Sequence, residues 1–366
     1  MKSFFLPADF KAETVDAYAA LNAKYDDSKV VGTYGNITVK NCFGSGRNAD
    51  KLPKVGLEEL RSYVEYSQRH NIDFSYTLNP SFMENREFTP EGIKEIRSFL
   101  GKLRGVGIRS IIVALPSLME VVKASGHDFR IKASAICQIT SANKALYWKQ
   151  MGADAMVIDE TINRDFANLR RIRKAFGEDV QVIVNSICHQ DCQYRMFHYN
   201  QISEDSVSES NPISCAYFQL RCAQRLYGDL SNYFKTTWIR PEDLKHYIAA
   251  GITHFKLQGR QSVLTGDPVR AVECYFNEHY EGDLKELLFM FAPSDKFQLS
   301  VDNASLEDFL KPFVENEDFC KRDCTGCDYC EAYAKQLFNS SATEVVREKA
   351  MAVMAEKDPY RKIIKS

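Results

Sequence analysis

Four cysteines fall within eleven residues near the end of this 366-residue chain, in the run DFCKRDCTGCDYC: Cys320, Cys324, Cys327 and Cys330. Thiolates at this spacing, with Gly326 easing a tight loop, can wrap one small metal centre. Compact runs of four cysteines hold iron–sulfur clusters. Tetrahedral zinc uses the same donor, although structural zinc sites more often pair two C-x2-C knuckles across a longer gap. An iron–sulfur cluster is therefore the expected occupant and zinc the alternative. Four unligated thiols in a polar loop would be out of character, because free cysteine behaves as a buried apolar residue.

A second group begins with Cys188-x3-Cys192 in VNSICHQDCQYRMFHYN and continues with Cys215 and Cys222. Cys188, Cys192 and Cys215 are read as ligands of a 4Fe-4S cluster, so the chain carries one cluster or two. Cys222 is admitted as a cofactor-binding residue, but it also reads as packing on an apolar helix. Cys42, Cys137 and His198 are other candidates for a fourth ligand. If three thiolates alone hold a cluster, one iron stays open to a substrate, whereas the closed tail site fits a relay or structural role. The chain has eleven cysteines, an odd number. In a reducing compartment closely spaced thiols more often bind metal than pair as disulfides.

These residues need a scaffold, and hydrophobic periodicity supplies one. Short β-branched runs read as strands at Val30–Tyr34, Asp73–Leu78, Ser110–Leu115, Arg130–Ile136, Ala155–Asp159, Val180–Asn185, Thr236–Ile239 and Thr253–Leu257. Amphipathic helical stretches alternate with them, among them Leu57–His70, one starting at Pro90, Ala142–Met151, Asn163–Phe176 and Pro241–Ala250. Eight βα units predict a TIM-barrel-like (β/α)8 domain over residues 1–285. An open doubly wound sheet is the alternative, but no G-x-G-x-x-G follows the first strand. Residues 186–235 form an insertion bearing the Cys188 group, and residues 286–366 a cysteine-rich extension. Barrel active sites form at the carboxyl ends of strands, which places the Cys188 loop at the barrel mouth. The same rule singles out Asn185, Lys256 and Arg260 as catalytic candidates, Arg260 as a bidentate clamp for carboxylate or phosphate. The competing reading is that such residues close the barrel through salt bridges. Asn79, Asp159, Glu160, Arg240, Gln258 and the GSGR loop at Gly44–Arg47 are weaker candidates.

Lys plus Arg total 47 and Asp plus Glu 49, a net charge of −2. This balance shows no electrostatic footprint for general nucleic-acid binding. No stretch approaches the length of a membrane span. The opening MKSFFLPADFKAETVD lacks the apolar core of a secretory leader, so a cytoplasmic location is expected. Neither H-E-x-x-H nor G-x-S-x-G occurs, which leaves conventional zinc-protease and serine-hydrolase chemistry without support.

The segment IKASAICQITSANKALYWKQMGADAMVIDETINRDFANLRRIRK resembles the central part of the collagenase-like peptidase family, U32. GITHFKLQGR is similar to that family's G-I-x-x-x-K-I-E-G-R run, and GSGRNADKLPKVGLEEL matches near the first strand. The resemblance spans Val30 to Gly282, and the tail resembles an extension carried by one branch. It implies a barrel-like fold and, in several members, an oxygen-sensitive 4Fe-4S cluster held by cysteines. It also implies oxygen-independent hydroxylation, of ubiquinone precursors or of tRNA and rRNA bases, with prephenate implicated as oxygen source; other members are named proteases. By position Cys188, Cys192 and Cys215 match the cluster region, and Lys256, Gly259 and Arg260 match the K-x-x-G-R run. Two departures bear on the substrate. VIVNSIC replaces the family's E-x-F-x-x-G approach, and the first two cysteines are only C-x3-C apart. The expected function is thus an iron–sulfur enzyme of oxygen-independent hydroxylation or a related modification. The alternatives are a peptidase and a non-catalytic electron-transfer subunit. The substrate, small or macromolecular, is unnamed, and a protein partner or electron donor is expected.

Overall fold

The computed structural model describes residues 1–207, 212–294 and 298–365, with the side chains of 212–216, 359, 362 and 365 outside that description. Eight parallel strands close into a barrel in chain order: β1 Lys2–Pro7, β2 Ser28–Gly35, β3 Asp73–Leu78, β4 Ser110–Val113, β5 Arg130–Ala133, β6 Ala155–Val157, β7 Val180–Ile183 and β8 His254–Lys256. The TIM-barrel-like expectation holds, but the membership of the barrel differs from the sequence reading in two places.

The first strand is the amino-terminal run KSFFLP. Its pairing with β2 on one side and β8 on the other closes the ring. Pro7 ends the strand, where a missing N–H costs the ladder nothing. Thr236–Ile239, expected as a strand, is not one of the eight. Thr236 bridges antiparallel to His189, and Ile239 N–H donates to the Val184 carbonyl at 2.8 Å. With β1 in place the ring is complete, so this segment only leans on the end of β7. Arg240 and Pro241 then turn the chain away into a short 3-10 helix, Pro241–Asp243. The cysteine-bearing excursion therefore leaves β7 and returns to β8.

Strand alternation sorts the side chains into two layers. Phe4, Leu6, Phe74, Tyr76, Leu78, Ile111, Val113, Ile131 and Phe255 belong to the large core shared with the surrounding helices. Ala135, Val157 and Ile183 form a separate small apolar cluster inside the ring. The rest of the interior is polar for a barrel. Ser75 Oγ donates to Ser110 Oγ at 3.1 Å, and Lys132 and Lys256 both lie in the inward register.

Helix ends follow local chemistry. Thr89 accepts from the Gly92 N–H and Pro90 occupies the first turn of Pro90–Gly105, the pairing expected of a helix start. Ser141 caps Ala142–Met151 in the same way, and Gly152 closes it at φ 99°.

An aromatic seam ties the carboxyl-terminal segment to the excursion. Phe309 packs against Phe234, Trp238, Phe313, Tyr329 and Tyr333, with ring centroids 5.0–5.8 Å apart. Tyr233 and Phe234 also meet Phe338. Among the described residues no helix is long and apolar enough to cross a membrane.

Candidate functional site

Two groups of chemistry-bearing residues stand at the carboxyl ends of the strands. The first is cationic. Arg260 follows β8 in KLQGR and is buried. Its Nη1 donates to Thr77 Oγ1 at 2.8 Å, to Ser45 Oγ at 3.4 Å and to Asn36 Oδ1. Burial and then the neighbouring Arg47 push its guanidinium below the ordinary value. Gly259 places it: φ is 122°, and an added Cβ would stand 2.8 Å from Met290 Cε. Left-handed backbone costs an L-residue about 1–2 kcal/mol. Gly259→Ala is expected to lower stability by about that much, read as a lower urea midpoint.

Asn185 serves the same turn. Its Nδ2 donates to the Gln258 and Leu288 carbonyls at 2.8 and 3.0 Å, and its Oδ1 accepts from the Gln258 N–H at 2.7 Å. The amide is thus committed to backbone and holds the loops after β7 and β8 together. Lys256 Nζ lies 4.0 Å over the Tyr34 ring. Burial, then Lys132, Arg260 and Arg47, hold it well below its ordinary value, and only Glu160 acts in the other direction.

Lys132 was not singled out from the sequence. Its Nζ lies 4.1 Å over the Phe5 ring, and burial, followed by Arg130, pushes its pKa down to about 7. A lysine flanked by Ile131 and Ala133 inside a strand was the signal available. Among the described residues neither lysine amine has a hydrogen-bonding or carboxylate partner. Arg47 Nη2 reaches Gln258 Oε1 at 3.5 Å, which keeps it close enough to act on both Arg260 and Lys256.

The second group is sulfur. Cys188 follows β7, beside a buried ion pair in which Arg195 Nη2 meets Glu160 Oε2 at 2.5 Å and Asp159 Oδ1 at 3.5 Å. Burial, with Glu160 adding and Arg195 opposing, pushes the Cys188 thiol up to about 12. Burial pushes Cys222 up to about 11, and Cys192 adds to it. Cys222 therefore lies close enough to couple to both Cys188 and Cys192. Cys215 is named with them by sequence, but its side chain lies outside the described residues. His189 is held near 4 by burial and then Arg225, and its Nε2 lies 3.3 Å from the Cys222 carbonyl.

Cys320, Cys324, Cys327 and Cys330 line a single cavity of about 490 Å³, with Arg164, Arg322, Gln190 and Asp191 among the other walls. Gly326 turns the loop at φ 81°. Cys320, Cys324 and Cys327 are exposed, while Cys330 is half-buried and pushed up to about 11 by burial. Arg322 docks this loop onto the rest of the site. Its Nη2 donates to the Thr161 carbonyl at 2.8 Å, and its Nη1 pairs with Asp191 Oδ1 at 3.2 Å. Asp191 precedes Cys192, so the two cysteine groups, more than a hundred residues apart in sequence, are neighbours.

Among the described residues no three His, Cys, Asp or Glu side chains already converge at ligand distance. The tail thiols share a cavity whose wall carries both basic and acidic side chains, and four thiols in one cavity are a donor set that fits a thiolate-ligated metal centre. A second cavity, about 510 Å³, is lined by Arg104, Arg109, Asp128, Phe129, Arg130 and Asp154. It lies at the amino ends of β4–β6, away from this chemistry.

Comparison with known proteins agrees with the architecture. The model of peptidase family U32 matches residues 47–317. An uncharacterized protease of Methanocaldococcus jannaschii is 29% identical over 293 residues, covering 80% of this chain and 85% of that protein. The solved structure of a U32 peptidase superposes with a TM-score of 0.51 at 16% identity, over 71% of this chain and 93% of the other, and shows the shared fold. With a family match that runs from the loop after β2 to beyond β8, this chain belongs to peptidase family U32.

Proposed function

We propose that the chain is an iron–sulfur enzyme that carries out an oxygen-independent hydroxylation, or a related modification, on an anionic substrate at the barrel mouth. The supporting observation is that four tail thiols line one cavity, which Arg322 docks against the Cys188–Cys192 loop. Cys320, Cys324, Cys327 and Cys330 are the residues that would hold one centre; zinc there is the alternative metal. Cys188 and Cys192, with Cys215 or Cys222, would hold another. A bound cluster supplies one-electron chemistry without dioxygen.

The residues of the mouth do the rest. Arg47 and Arg260 form a cationic, largely buried surface, which favours a carboxylate or phosphate over a neutral ligand. Lys256 Nζ, whose affinity for a proton is lowered well below the ordinary value by burial and its cationic neighbours, is suited to exchange a proton inside the barrel. An exposed tail centre beside a buried mouth fits electron entry from a partner protein.

The second reading is a peptidase, favoured by the family description and by the relative's name. The adjacent Cys188 and His189 do not make a nucleophile–base pair, since the thiol is held protonated and the ring faces the Cys222 carbonyl. Anaerobic peptide-cleavage assays on the wild type and on Cys188→Ala separate the two readings. We expect no cleavage by either. Cleavage that persists in Cys188→Ala would favour the peptidase.

A further inference from the structure

Arg164 follows the short turn Glu160–Ile162 after β6 and is 5% exposed. Its guanidinium lies over three aromatic faces, 4.7 Å from the Trp238 ring centroid, 4.8 Å from Phe309 and 5.7 Å from Phe313. Nη1 donates to the Phe234 carbonyl. Nε and Nη2 are buried and find no acceptor among the described residues. Asp243, whose field reaches Arg164, is itself held through both carboxylate oxygens by Arg240.

A permanently charged group in this position is poorly compensated. Cation–π contacts offset only part of the cost of taking a cation out of water. Two donors with nothing to donate to add a further penalty. The missing component is negative charge, and the carboxylates of the cavity are engaged elsewhere: Asp191 by Arg322, Asp229 by Lys235, Glu331 by Lys335 and Asp323 by the Thr325 N–H. Arg164 lines the same cavity as Cys320, Cys324, Cys327 and Cys330. As thiols these residues carry no charge; as metal ligands they are thiolates.

We propose that Arg164 is the charge-compensating donor for an iron–sulfur centre held by the four tail cysteines, and that it sets the reduction potential of that centre. This rests on the iron–sulfur reading above and extends it to a residue outside the cysteine motif. Reduction adds one negative charge to a thiolate-ligated centre, so a fixed cation beside it stabilises the reduced form more than the oxidised form. Arg164 is suited to this because the aromatic faces and the Phe234 carbonyl already hold its head in place, and little reorganisation accompanies the electron. It is a positioning and tuning residue, not a ligand. Cys330 and Cys320 are close enough to act on its guanidinium.

The test uses the full-length protein prepared anaerobically in a Cys188→Ala background, which isolates the tail centre. The midpoint potential is read by EPR-monitored redox titration alongside iron per chain. Arg164→Met keeps an apolar stem of similar length and is expected to retain iron while moving the midpoint to lower potential. Arg164→Lys keeps the charge but not the donor fork, and is expected to fall between the two. If Arg164→Met loses iron, the Lys variant carries the test, with the same downward direction expected. An unchanged midpoint with iron retained would overturn the proposal and leave Arg164 a packing residue. A tail centre that holds zinc would also overturn it, since zinc has no redox couple. Failure of the underlying reading looks different: Cys324→Ala would then change neither iron nor the EPR signal.

Discussion

Cys188→Ala and Cys324→Ala are each expected to empty one metal centre and spare the other, so that the iron losses add in the double variant. The tail motif supplies four thiols around one cavity and needs no donor from the mouth to complete a centre. Cys188 lies instead in the field of Glu160, Arg195 and Cys222. Arg322 joins the two groups by hydrogen bonding to Thr161 and Asp191, which passes position between them without sharing a ligand. Iron per chain, measured on anaerobic samples of the four proteins, gives the answer. Should either single change remove all the iron, the neighbouring groups form one shared centre.

Lys132→Met is expected to stabilise the protein at pH 7, by on the order of 5 kcal/mol at most. Lys132 is buried in the barrel, and its pKa is pushed from the ordinary 10.5 to about 7, chiefly by burial. The sign follows from proton counts. Between pH 7 and pH 10.5 the unfolded chain keeps this proton and the folded chain has lost it, so raising pH through that window stabilises the fold. Below pH 7 the amine is charged in both states and the full burial cost persists. Methionine fills a similar volume without a charge. Its advantage is therefore expected to shrink as pH rises from 7 toward 10, in urea denaturation followed at both ends. An advantage independent of pH would mean that the amine is solvated.

The barrel was legible because βα alternation is a strong periodic signal, and seven of its strands coincide with β-branched runs in the sequence. β1 was missed because KSFFLP contains no β-branched residue and a proline within such a run argues against a strand. Only closure of the ring gives it a partner on each side. Thr236–Ile239 has strand composition, but its pairing with the barrel is limited to one hydrogen bond to Val184 and one bridge to His189, while its Thr237 and Ile239 carbonyls accept from the Asn163 amide and the Tyr275 hydroxyl. Composition reports what a segment could pair with; the ring has room for eight.

The site shows the same division. Thiols stand out by spacing, and Arg260 and Lys256 by following a strand. Asn185 carried the same positional signal, yet its amide is spent on Gln258 and Leu288 backbone, which makes it a brace for the Arg260 turn. Lys132 and Arg164 escaped notice for a different reason. Each looks ordinary in sequence, and each matters because the fold buries its charge without a carboxylate in contact. That Cys192 and Cys320 belong to adjoining structures was likewise invisible, since the aromatic seam around Phe309 that brings the tail back has no periodic signature.

The central claim is that these cysteines hold iron and inorganic sulfide. Protein purified under argon from iron-replete cells, analysed for iron and acid-labile sulfide and then by EPR after reduction, tests it most directly. The account predicts a brown protein with iron and sulfide in equal amounts and a reduced-cluster signal. A colourless, iron-free sample that is fully competent in its reaction would contradict it.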